Sequence, residues 1–161
     1  MTAEEFAKLY KEVDVPEIPE SWKKDLYEQL GNDGSSTFGE VDDDEVLPTK
    51  ATVEDVARAI KLLASQEWYV EAVRKYLVET DDHDEFMGMP YGRAHCMLYW
   101  LSLALKLNGV SAEGQLTHMT GRLFGDTAIG AVADMGRGDS IETIYTDRIH
   151  KVLKRYNVSG V

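Results

Sequence analysis

The densest run of chemically able side chains is Asp81-Asp82-His83-Asp84-Glu85. Carboxylates beside an imidazole are the donor set that holds Mg²⁺, Mn²⁺ or Zn²⁺. Consecutive side chains on a helix point in different directions, so such a site needs donors from a second element. His95, His118 and Arg93 are the side chains able to supply them. Together His83, Asp84, Arg93, His95 and His118 make one candidate pocket. It would suit a small metal- or nucleotide-dependent hydrolase or a ligand-binding protein. The competing reading of the run is a solvated connection between helices, the common fate of charge runs.

A second acidic run, Glu40, Asp42, Asp43, Asp44 and Glu45, follows a polar, turn-rich stretch from Gly31 to Gly39. An EF-hand loop counted from Asp33 fails twice. Its sixth position is Phe38 where a glycine is needed, and its twelfth is Asp44 instead of glutamate. The His83-Asp84 doublet resembles that of the helical metal-dependent phosphohydrolases. Those need a histidine well upstream, and His83 is the first in this chain. Cys96 sits in an apolar run, where a free cysteine packs as a small hydrophobe. No phosphate loop, dinucleotide fingerprint, nucleophile elbow or zinc pair is present. The sequence therefore implies neither a bound metal nor a cofactor.

Charge placement says more. The net charge is -12, from 29 acids against 17 bases. Residues 1–50 carry 14 acids and 5 bases, and residues 51–161 carry 15 and 12. An acidic surface repels nucleic acid and anionic membranes and favours basic partners. The expectation is a small, non-enzymatic interaction protein that binds the basic surface of a protein partner. It would act as an inhibitor or regulator of the nucleic-acid-mimic or anti-defence type, through Glu40, Asp42, Asp43, Asp44 and Glu45, with no direct nucleic-acid binding. The alternatives are the pocket above and a structural subunit of an assembly. A single cysteine permits no intramolecular disulfide and fits a reducing compartment. The first residues lack the features of a signal peptide. The apolar stretch Cys96 to Leu107 is too short to span a bilayer. Cytoplasmic location and no membrane association are the corresponding expectations.

The elements that must position these residues read as helices. Phe6, Leu9, Tyr10 and Val13 share one helical face behind a Thr2/Glu5 capping box. Pro16 and Pro19 break that helix, and Trp22, Leu26 and Leu30 align a second one over 21–30. Val53, Val56, Ala57, Ile60 and Leu63 keep the 3.6-residue period behind Thr52. Trp68 to Glu79, Leu123 to Met135 and Ile141 to Tyr156 continue it. Residues 91–108 are apolar nearly all round, which predicts a central, buried helix. The expected fold is all-α and a single domain over 1–161. It is an irregular bundle around helix 91–108, with an N-terminal helical pair (1–30), an acidic loop or linker (31–49) and a main body (50–161).

Overall fold

A computed structural model describes residues 1–18, 20, 49–107 and 119–161. Among these the fold is all-α, with an isolated parallel bridge between Thr52 and Ser159. The expected helix over 21–30 and all of the loop 31–49 but Thr49 lie outside the described residues.

Helix α1 spans Ala3–Glu12. The Glu5 amide donates to Thr2 Oγ1 at 3.1 Å, and the Thr2 amide donates back to Glu5 Oε1 at 3.0 Å. The cap thus satisfies donors that the first turn leaves without partners. Phe6 points inward and stacks on Tyr145 with ring centroids 4.9 Å apart. Helix α2 spans Val53–Ala64 and opens on a second capping box, Thr52 with Asp55. Its Val56, Ala57, Ala59, Ile60 and Leu63 are completely buried. Polar groups tie the exit of α1 to α2. Arg58 Nε donates to the Asp14 carbonyl at 3.1 Å, and Lys61 Nζ donates to that of Val13 at 2.8 Å.

Helix α3 spans Glu67–Val73 and continues as a π turn, Arg74–Glu79. The acidic run 81–85 departs from a bare connection. Asp82 caps a short helix α4, His83–Phe86, by accepting from the Glu85 amide at 3.2 Å. Phe86 is the apolar residue that anchors this turn in the core. Helix α5 spans Met89–Ala104, and residues 94–102 are all buried, as an all-round apolar sequence requires. Past its end Lys106 takes a left-handed φ of 55°, and the Leu107 amide donates back to the Ser102 carbonyl at 3.1 Å.

Helix α6 runs through Met119–Phe124, a π turn Gly125–Ile129 and Gly130–Gly136. Helix α7 repeats that plan with Ile141–Ile144, a π turn Tyr145–Ile149 and His150–Arg155, behind the cap Ser140. In α6 the buried Thr127 hydroxyl donates to the Leu123 carbonyl at 2.7 Å, a back-bond of the kind that bends helices. One apolar cluster runs from Phe6 and Val13 through α2, α3, α5 and α6 to Tyr156 and Val158. The N-terminal helix therefore shares the core of the later chain. Helix α2 contacts α1, α3, α5 and α6 and is as central as α5. No helix among the described residues is long and apolar enough to cross a membrane.

Candidate functional site

The outward stripe of α3 is Trp68, Glu71, Ala72, Lys75 and Tyr76, spaced i, i+3, i+4, i+7 and i+8. These residues line one wall of a groove of ≈ 640 Å³. The opposite wall comes from α4 and the start of α5: Asp84, Glu85, Gly88, Met89, Pro90 and Arg93. Ala72 is the small residue in the middle of the first wall, between two aromatic side chains. Met89 on the far wall is 56% exposed, and neighbouring Met87 is 53% exposed.

The two cations of the groove lie over ring faces. The Arg93 guanidinium sits 4.7 Å from the Trp68 ring centroid, and Lys75 Nζ sits 5.1 Å from that of Tyr76. Such contacts draw a cation onto the wall through the ring quadrupole. The Trp68–Arg93 pair also borders a second groove of ≈ 490 Å³, lined by Val15, Pro16, Ile18, Leu62 and Met97 among others. Charge over 67–93 is acidic, with seven carboxylates against three bases.

The expected pocket is brought together only in part. Asp84 and Arg93 line the same groove. His83 does not line it; its Nε2 lies 2.9 Å from Asp81 Oδ1 on an exposed surface. His95 is buried in the core against Tyr91, with ring centroids 4.1 Å apart, and its ring edge lies beside Gly125 of α6. His118 lies outside the described residues, as do Glu40, Asp42, Asp43, Asp44 and Glu45. Helix α4 buries Phe86 and leaves His83 exposed, whereas His95 points into the core. Among the described residues no three His, Cys, Asp or Glu side chains group to hold a metal ion. Cys96 is 2% exposed, and burial pushes its thiol up to about 11. It stays protonated and unreactive near neutrality.

A second polar group, which the sequence reading did not assemble, gathers at the π turn of α6. The Tyr156 hydroxyl donates to Asp126 Oδ2 at 2.7 Å. Burial pushes the Tyr156 phenol up, the Asp126 carboxylate adds to the rise, and Arg122 opposes it. Tyr91 is raised by burial and then by the same Asp126 charge. Arg122 and Asp126 stand four apart, a spacing at which helical residues meet. That spacing was the available signal. Tyr156 on α7 joins them only through tertiary packing, which no local pattern encodes.

No protein-family model matches the chain, and no curated protein or solved structure is similar to it.

Proposed function

We propose that this protein is a small acidic, non-enzymatic interaction protein that binds a basic surface of a protein partner, as an inhibitor or regulator. The uneven placement of charge carries the reading. Of the net charge of -12, residues 1–50 hold -9, and residues 67–93 carry seven acids against three bases. Exposed charges of one sign steer association with the opposite sign and suppress contact with nucleic acid. A partner surface rich in Arg or Lys could be occupied in the manner of a nucleic-acid mimic. The run Glu40, Asp42, Asp43, Asp44 and Glu45 is proposed as the main electrostatic contact.

The test uses the tagged 161-residue chain as bait in a lysate of its source, eluted by a salt gradient. The control is a variant with Asp42, Asp43 and Asp44 changed to Asn and Glu45 changed to Gln. A stoichiometric protein released by moderate salt from the wild type, and captured poorly by the variant, supports the reading. Equal capture by both at low salt, where exposed charges act most strongly, would sink it.

A further inference from the structure

Among the described residues, two large apolar side chains are more than half exposed, and both are methionines, Met87 and Met89. They flank Gly88 in the turn between α4 and α5. The turn is pinned from both sides, because Phe86 before it and Pro90 after it are buried. The Met87 amide donates to the His83 carbonyl at 2.8 Å, and the Gly88 amide donates to that of Glu85 at 3.3 Å. The fold thus holds two thioethers out to solvent on a backbone whose own bonds are made. The next two sulfurs along the chain are placed oppositely. Cys96 and Met97 are buried in α5. The raised Cys96 thiol carries almost no thiolate near neutrality, so the usual competitor for an oxidant is absent here.

We propose that Met87 and Met89 form a reversible oxidation site, converted to sulfoxides by hydrogen peroxide. In each step the thioether sulfur attacks one peroxide oxygen, the O–O bond breaks and an S–O bond forms. The sulfur gives up two electrons, and the other oxygen leaves as water with both protons. A methionine sulfoxide reductase reverses the step with a dithiol, which becomes a disulfide as the oxygen leaves as water. A neutral oxidant suits the place. Asp81, Asp82, Asp84 and Glu85 are all exposed just ahead of Met87, and they repel an anion such as peroxynitrite. Oxidation turns a flexible apolar side chain into a polar one. At Met89 it sets a sulfoxide on the wall of the groove, whereas at buried Met97 the same change would break packing. Net charge does not change, so the site stands apart from the acidic-surface reading.

In the experiment the 161-residue chain is treated with dilute hydrogen peroxide, digested with trypsin and weighed by mass spectrometry. Cleavage after Lys75, Arg93 and Lys106 puts Met87 and Met89 in fragment 76–93, and Cys96 and Met97 in fragment 94–106. Fragment 76–93 is expected to gain one and then two oxygens about tenfold faster than 94–106 gains any, and the difference is expected to vanish in urea. Met87→Leu or Met89→Leu, each a swap of similar volume, should limit the fragment to one added oxygen. The Tm of the doubly oxidised chain should stay within about 2 °C of the untreated one, as for a change at an exposed position. Reductases for the two sulfoxide epimers should together return 76–93 to its starting mass. Equal uptake by the two fragments in the folded chain, or two oxygens still added to either single variant, overturns the site. A larger fall in Tm overturns its separation from the core, and sulfoxides that resist both reductases overturn its reversibility.

Discussion

Two buried tyrosines differ in what their hydroxyls touch. Tyr69 is completely buried, and its hydroxyl has no hydrogen-bond partner among the described residues. The Tyr156 hydroxyl is held by Asp126 at 2.7 Å. A buried hydroxyl without a partner costs its desolvation, whereas a bond to a carboxylate returns more than that cost. Tyr69→Phe should therefore stabilise the fold by roughly 1 kcal/mol, and Tyr156→Phe should cost about 2 kcal/mol. Urea unfolding at neutral pH reads both, and opposite signs are expected. Equal losses would mean that the Tyr69 hydroxyl is satisfied. The alkaline limb adds a check. Burial pushes both phenols above their ordinary value, so the unfolded chain ionises first as pH rises. Their contribution is complete below about pH 10 and drains away above it. Removing the Tyr69 hydroxyl should flatten that decline.

At the scale of the element, the instructive position is Gly130, where α6 resumes after its π turn. Glycine in a helix ordinarily costs about 1 kcal/mol relative to alanine. Here a Cβ would lie 2.4 Å from Arg148 Nη1 of α7. That guanidinium is bonded through Nε to Asp134 Oδ2 at 2.8 Å. The missing side chain is thus the space in which the α6–α7 ion pair sits. Gly130→Ala should cost about 1 kcal/mol in the wild type, yet stabilise the Arg148→Ala background by a similar amount. Thermal unfolding of the four proteins closes the cycle, and the same sign in both backgrounds would refute the close-packing account. The sequence alone marks Gly130 as a weak point in a helix, because its partner is 18 residues away on another element. The helices themselves were legible because their apolar faces keep a 3.6-residue period over three or more turns. The π turns at 74–79, 125–129 and 145–149 were not, since each adds one residue to a turn without breaking the apolar pattern. The short α4 was hidden for a related reason. Four residues are too few for a period, and one buried Phe86 carries the packing.

For the molecule as a whole, the site was legible in its chemistry and illegible in its geometry. The acid excess and the identities of Asp84 and Arg93 can be read from the chain, but their convergence with Trp68, Tyr76 and Met89 depends on how α3, α4 and α5 pack. The same acid excess makes a prediction about salt that separates folding from binding. Ion pairs among the described residues gather at Arg58, Arg74, Arg137 and Arg148, with His83 facing Asp81. With 29 acids against 17 bases, self-repulsion opposes the compact state. Raising NaCl from about 20 to about 300 mM shortens the Debye length from roughly 20 Å to below 10 Å and screens that repulsion. The Tm of the free protein should therefore rise by a few degrees over this range. Affinity for a basic partner should fall over the same range, because the charges then being screened attract. Opposite slopes in the two measurements are the signature of one exposed acidic field acting in both. A Tm that falls with salt would instead mean that local ion pairing outweighs the net repulsion, and the acidic surface would then be a structural feature with little left to offer a partner.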